Sequence, residues 1–339
     1  MNRIYKIHKD TLQYGSLHFT TETNIALQIK KDLQDSGLAL TDLQSNRIVV
    51  DFRSEGQCNS SAAEFIDFLI ALPVKDLLVI FNTVIDVQSL PYQAVCLPTW
   101  LTGSDSWLPL LQSIPYNSFI DRKFLCLMRR PNSSRARIAR WLLDNDINVR
   151  FSFGSMVSSM WMGEYRPLFP DQVLPITIDG IIDRNNNNIE HVQTNPVFHS
   201  CLFNIVVETS SQTAPSHPRT PRGWYSIFIT EKTFKSFGLR QIPIWFAVPG
   251  LVTEVRKLGF DMFDDIIDHS YDLVDDEDKR FTQVFDQIKK LNSELDLSQC
   301  QQLRNSMLNR FNNNFMLLSH YASIRDLQFQ NIIKEFIQQ

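Results

Sequence analysis

Apolar residues in this chain recur in two rhythms that take turns along its length. Ile25, Ile29 and Leu33 are spaced by fours and stop at Gly37, which predicts a helix ended by a glycine. Residues 47–52 (RIVVDF) predict a strand. Ser61 and Glu64 make a capping box that opens an amphipathic helix through Phe65, Phe68, Leu69 and Leu72. The short apolar run 77–81 (LLVIF) predicts a buried strand. Residues 97–115 are rich in Pro, Trp, Ser and Leu without a clear period, and predict an irregular passage toward a second domain.

The alternation then resumes. Residues 123–128 (KFLCLM) predict a strand, Ser133 or Ser134 can cap a helix carrying Ile138, Trp141 and Leu142, and 147–151 predict the next strand. The asparagines at 185–188 mark an exposed turn. Residues 203–207 (FNIVV) predict a buried strand running into Glu208 and Thr209, followed by a polar, proline-bearing loop at 210–222. An apolar run at 228–229 breaks into Thr230-Glu231-Lys232 and a helix; a strand over 243–248 and a helix over 251–258 come next. From Asp275 onward the pattern is helical, with Phe281, Val284, Phe285 and Ile288 on one face. Strand–helix alternation in both halves predicts two α/β domains with parallel sheets, and a ligand at the carboxyl ends of their strands, in the cleft between them.

Composition narrows this picture. At 339 residues, 43% of them hydrophobic and only 11 of them glycine, the chain is globular and long enough for two domains. A net charge of −4 provides no global basic field for nucleic acid. Cys58, Cys96, Cys126, Cys201 and Cys300 are scattered and form no Cys-x-x-Cys pair, which argues for reduced, buried thiols rather than a disulfide framework or a zinc site. The N-terminus lacks a long apolar core, and no apolar run reaches the length of a membrane span, so a soluble, cytoplasmic protein is expected.

Two clusters carry candidate chemistry. Thr230, Glu231, Lys232 and Thr233 set hydroxyls, a carboxylate and an ammonium at a predicted helix start, where unpaired N–H groups and the helix dipole favour an anion. Ordinary capping by the threonines accounts for the same residues. The second cluster is Arg122, Lys123, Arg129, Arg130, Arg135, Arg137 and Arg140, with no acid between them. Arg137 and Arg140 fit a solvated helix face, whereas Arg129, Arg130 and Arg135 sit at or just beyond a strand end, where a diphosphate could be gripped bidentately. The acidic stretches point elsewhere. Residues 272–278 suit a solvated helix start, and Asp264-Asp265 lies in an amphipathic segment with Phe260, Phe263 and Ile266 as core, so no metal site is expected.

The run Phe228-Ile229-Thr230-Glu231-Lys232-Thr233-Phe234, followed by a hydrophobic helix and Gln241-Ile242-Pro243-Ile244, resembles the nucleotide-sugar motif of the α-1,3-fucosyltransferases. Residues 123–126 (KFLC) with Arg135 look like that family's strand, polar turn and phosphate-binding arginine, and 204–208 look like its strand upstream of the box. The likeness is closer to stand-alone soluble glycosyltransferases of bacteria and viruses, which continue, as here, into Gly259-Phe260 and an Asp268-His269-Ser270-Tyr271 segment. It runs in order over 120–260 and is specific at the Thr-Glu-Lys box.

The resemblance implies a GT-B architecture, two Rossmann-like domains facing a cleft, with a helical C-terminal tail. Residues 1–115 would be the acceptor side, 116–290 the nucleotide-sugar side, and 291–339 helices packing back on the N-terminal domain. It implies inverting, metal-independent transfer from a nucleotide diphosphate sugar, with a GDP-sugar among the donors and no further cofactor. Lys232 and Arg135 would stabilise the leaving diphosphate. Arg129, Arg130, Glu208, Thr209, Thr230, Glu231, Thr233 and Lys235 would complete the donor site, with Glu231 on sugar or ribose hydroxyls. Glu55 stands where the family keeps its general base, with Asp51 and His269 as weaker choices, although Gly56 follows where the family has asparagine. A non-catalytic nucleotide-sugar-binding module and an interaction protein using the basic cluster are the competing readings. Glycan, lipid, protein and nucleobase acceptors all stay open.

Overall fold

The structure, a computed structural model, describes residues 5–7, 47–52, 76–81, 93–96, 119–129, 131–154, 163–172, 174–176, 178, 196–208, 227 and 229–338. Every run read as a strand from its apolar pattern forms one. Two elements escaped that reading, β1 (Tyr5–Ile7) and β4 (Gln93–Cys96), because three or four residues are too few to show a period. With β2 (Arg47–Phe52) and β3 (Asp76–Phe81) they form a parallel sheet in the order β1-β2-β3-β4. Val49 pairs with Lys6 on one side and Leu78 on the other. The chain is a mixed α/β protein of two units: Met1–Leu101, Gln212–Thr230 and Ser323–Gln339 make one, Thr102–Ser211 and Glu231–Ala322 the other.

The second unit holds another parallel sheet, of β5 (Arg122–Met128), β6 (Val149–Phe153), β7 (Cys201–Val207) and β8 (Ile242–Phe246), in the order β6-β5-β7-β8. The chain therefore steps from β5 to one side for β6 and to the other for β7 and β8. Right-handed crossovers in opposite directions put the connecting helices on opposite faces. The side chains agree. Trp245 and Phe246 are neighbours on β8 and point to opposite faces. Trp245 lies 6.3 Å from Phe237 of α2 (Glu231–Gly238), while Phe246 lies 4.8 Å from Phe281 and 5.1 Å from Phe285 of α4 (Glu277–Glu294). Phe285 in turn stacks at 4.2 Å on Trp141 of α1 (Ser133–Asp144). One face is thus covered by α1 and α4, the other by α2.

Buried polar groups fasten the amino ends of the strands. Gln241 is fully buried; its Nε2 donates to the carbonyls of Phe198 and Cys201, and its Oε1 accepts from Asn204 Nδ2 at 2.7 Å. Arg304 of α5 (Leu297–Ser306) donates to the His199 carbonyl, and Gln301 accepts from the Ile120 N–H at 2.9 Å. Helix α6 (Leu308–Gln338) begins against the segment after α3 (Leu251–Lys257), where Arg310 grips Asp261 and Asp265 and Phe311 meets Phe263 at 5.1 Å.

Three local expectations shift. Helix α1 is capped by Asn132, not by Ser133 or Ser134, because the Asn132 carboxamide accepts the Arg135 N–H at 2.8 Å. β6 starts at Val149 rather than at Ile147, since Ile147 N–H still bonds the Leu142 carbonyl after Asp146 turns through a φ of 49°. Ile267, not Ile266, is the fully buried isoleucine beside Phe260 and Phe263. Phe281, Val284, Phe285 and Ile288 line the buried face of α4 as expected, and Cys126, Cys201 and Cys300 are free, buried thiols. The helices read at 25–33 and 61–72, the passage at 97–115, the turn at 185–188 and the loop at 210–222 lie outside the described residues.

Candidate functional site

Where strand order reverses in an open parallel sheet, ligands sit outside the carboxyl ends of the two diverging strands. Here those strands are β5 and β7, paired through Cys126 and Ile205, and their ends meet the first turn of α1. The Asn132 cap sets that turn and aims Arg135 at the sheet. Arg135 is 2% exposed, and its Nη2 donates to the Val207 carbonyl at 3.0 Å. Beneath it, burial pushes the Cys126 thiol far above its ordinary range, and the Arg135 charge opposes that rise.

The opposite face contributes α2. Thr233 is fully buried, and its Oγ1 donates to Glu208 Oε1 at 2.7 Å. Ser236 Oγ braces the same turn by donating to the Thr233 carbonyl at 2.8 Å. The Glu208 N–H extends the ladder by donating to the Phe246 carbonyl at 3.0 Å, so the carboxylate leaves the sheet directly at the end of β7. Residues 207 and 208 are therefore held by a guanidinium from one face and a hydroxyl from the other. Glu208 is 3% exposed, and burying a carboxylate is costly without such partners.

The structure thus brings Arg135, Glu208 and Thr233 together. Lys232 and Lys235 are half-buried on α2, Arg129 is half-buried at the end of β5, and Thr230 is buried just ahead of α2. Glu231 opens α2. Arg130, Thr209 and Glu55 lie outside the described residues, and Asp51 lies on β2. Thr233, expected to cap the helix or touch phosphate, turns inward to a carboxylate instead. Much of the basic cluster finds partners within the chain, mostly at the surface: Arg137, on the solvated helix face expected for it, pairs with Asp278, Arg140 Nε with Asp144 at 2.9 Å, Arg122 with the Asp121 carbonyl, and the half-buried Lys123 with the Asn292 carbonyl.

The acidic segments also have internal work. Asp276 caps α4 by accepting the Lys279 N–H at 2.9 Å. Asp272 reaches back to α3, accepting from Val252 N–H at 3.0 Å and from both Thr253 N–H and Oγ1 at 2.9 Å. A cavity of about 540 Å³ beside it is lined by Asp264, Asp265, Asp268 and His269 among others. Each of these carboxylates is committed: Asp264 to Arg256 and His269, Asp265 to Arg310, Asp268 to the Ser270 N–H. His269, a candidate base, is buried against Trp245 and Tyr271 with Nδ1 3.0 Å from Asp264 Oδ1. Burial lowers its pKa, outweighing the Asp264 carboxylate, and keeps the ring neutral. This geometry is that of a packed histidine.

Pattern reading missed Asn132 and Arg280 and misplaced Asp272, which the pattern of 272–278 sets in a solvated helix start but which is 4% exposed and caps α3 instead. Asn132 follows Pro131 and precedes two serines, so composition alone did not single it out. Arg280 is buried and donates to the carbonyls of Ala247, Val274 and Asp275, which no local pattern announces. Among the described residues no group of three or more His, Cys, Asp or Glu side chains is arranged to hold a metal ion, and no helix is long and apolar enough to cross a membrane. Compared with known proteins, the chain has no match: no family model, no curated protein and no solved structure matches it.

Proposed function

We propose that the chain is a GT-B glycosyltransferase that moves a hexose, fucose-like or other, from a nucleotide diphosphate sugar to an acceptor hydroxyl, with inversion and without a metal. The observation that carries the reading is the meeting of Arg135, Glu208 and Thr233 at the carboxyl end of β7, beside the reversal of strand order. As the glycosidic bond breaks, negative charge grows on the leaving diphosphate. Arg135 and Lys232 supply the countercharge, and the α1 start with Arg129 adds to the field. Glu55, which follows β2 in the chain, takes the proton of the acceptor hydroxyl.

A second reading, a nucleotide-sugar-binding module without turnover, draws on the burial of Arg135 and its bond to Val207, which give the guanidinium a role in holding the fold. Calorimetry with the common nucleoside diphosphates, and release of nucleoside diphosphate from a panel of sugar nucleotides, decide between the two. Wild-type protein is expected to bind one diphosphate and to release it from the matching sugar nucleotide. Arg135→Met is expected to lower turnover about a hundredfold. Binding without release in the presence of candidate acceptors would select the second reading, and no binding to any nucleotide would overturn both.

A further inference from the structure

Independently of the donor-site reading, we propose that an open cavity on the outer side of α1 binds one uncharged hexose unit of a glycan. The cavity, about 630 Å³, lies between α1 and the 3₁₀ turn Gly163–Leu168, and its volume is that of a small-molecule site. At about 3.6 residues per turn, Arg137, Arg140, Trp141 and Asp144 leave α1 on the side roughly opposite Arg135, so the cavity is separate from the end of β7. Part of its lining is apolar: Ala136 and Trp141 come from α1, Tyr165 and the 47% exposed Leu168 from the turn. Both rings are fixed by the core, Trp141 by Phe285 at 4.2 Å and Tyr165 by Phe153 at 5.6 Å. The rest of the lining is charged in both signs. Arg140 Nε donates to Asp144 Oδ2 at 3.0 Å, and the Tyr165 hydroxyl donates to the Glu164 carboxylate. Burial, and then that carboxylate, push the Tyr165 phenol up to about 12, so it stays a neutral donor.

The balance of charges selects the ligand. Asp144 and Glu164 oppose a phosphate, and Arg137 and Arg140 oppose an ammonium, so a full charge of either sign gains little here. A sugar hydroxyl is donor and acceptor at once, and a guanidinium beside a carboxylate answers both needs. Arg140 spends Nε and Nη2 on Asp144, an exposed pair, and a guanidinium carries five N–H groups, so the pair presents donor and acceptor side by side. The C–H face of a pyranose takes the apolar lining. An apolar face ringed by hydroxyls is the shape and chemistry that this cavity complements.

The test uses the full chain and the methyl glycosides of glucose, galactose, mannose, fucose and N-acetylglucosamine, read by saturation-transfer NMR, with the neutral dye Nile red as an apolar probe. Wild type is expected to bind at least one glycoside with a Kd on the order of 1 mM. Asp144→Asn is expected to weaken that binding about tenfold and Leu168→Gln about fivefold. Both side chains are exposed, so circular dichroism is expected to show an unchanged fold. Added nucleoside diphosphates are expected to leave the glycoside bound. Absence of binding by every glycoside overturns the proposal, as does binding that ignores both substitutions, which would put the sugar elsewhere. Displacement by a nucleoside diphosphate would merge the cavity with the donor site and overturn it too. Nile red binding that Leu168→Gln lowers and no glycoside competes for would make the cavity an apolar docking groove instead. Nucleotide binding and release bear on the donor-site reading alone, so the two fail separately.

Discussion

Two corners of the second sheet have the same plan and opposite charge. At one, β5 ends and α1 begins; at the other, β8 ends and α3 begins. Each sets a helix N-terminus at the carboxyl edge of a parallel strand, where orphan N–H groups and the dipole attract an anion. At α3 the protein supplies that anion itself: Asp272 accepts from Val252 and Thr253, and its own carbonyl accepts the Gly250 N–H at 2.9 Å. At α1 the cap is the neutral Asn132, with Arg129 and Arg135 close by in the chain. Helix geometry therefore does not choose the site. The choice rests on which side chains are carried to each corner, and on strand order, since β5 borders the reversal and β8 does not.

The largest test of this contrast concerns Arg280, which holds the segment carrying Asp272 against the end of β8. Replacing it with alanine strips donors from three carbonyls and is expected to cost about 3 kcal/mol, read by urea unfolding followed through tryptophan fluorescence. An unchanged midpoint would mean that the closed corner does not depend on it. A smaller pair of effects compares the caps directly. Asp272→Ala is expected to cost about 2 kcal/mol and Asn132→Ala about 1 kcal/mol, because the first cap is charged and makes more bonds. Equal costs would erase the electrostatic difference between the corners.

The smallest effect is a slope with pH. The folded pKa of His269 is lowered by burial from its ordinary 6.5, so below that value the unfolded chain binds the proton more readily. Stability contributed by the neutral ring is present above pH 6.5 and declines as pH falls from there toward the folded pKa. The Arg310-bound carboxylates Asp261 and Asp265, held low chiefly by that guanidinium, contribute stability that is lost only further down, below their ordinary 3.8. His269→Gln should therefore flatten the decline just below pH 6.5 and leave the lower one unchanged, in a series of unfolding curves at stepped pH. A decline identical to wild type would remove His269 as its cause.

The parts of the fold legible in the chain are those with a long, strict pattern. The apolar runs of β2, β3, β5, β7 and β8 and the face of α4 declare themselves because a buried surface must be covered at the period of its backbone. Arg135, Glu208 and Thr233 could be picked out as polar residues flanking such runs, yet their arrangement could not. Nothing in Thr230-Glu231-Lys232-Thr233 says that Thr233 turns toward a carboxylate 25 residues earlier. Likewise nothing near the row of basic residues at 122–140 says that Asp278 folds against Arg137, whereas the pair of Arg140 with Asp144 lies within one helical turn.

By itself, then, the sequence determined the alternation of strands and helices, the parallel α/β class and the short list of polar residues at element ends. These follow from local period and capping chemistry, which act over a few residues. Tertiary structure alone decided the order β6-β5-β7-β8, the convergence of two helices on residues 207 and 208 from opposite faces, and the sealing of one helix start by Asp272. Those are contacts between residues distant in the chain. Their partners are selected by packing and by the cost of burying unpaired charge, which no local window of sequence contains.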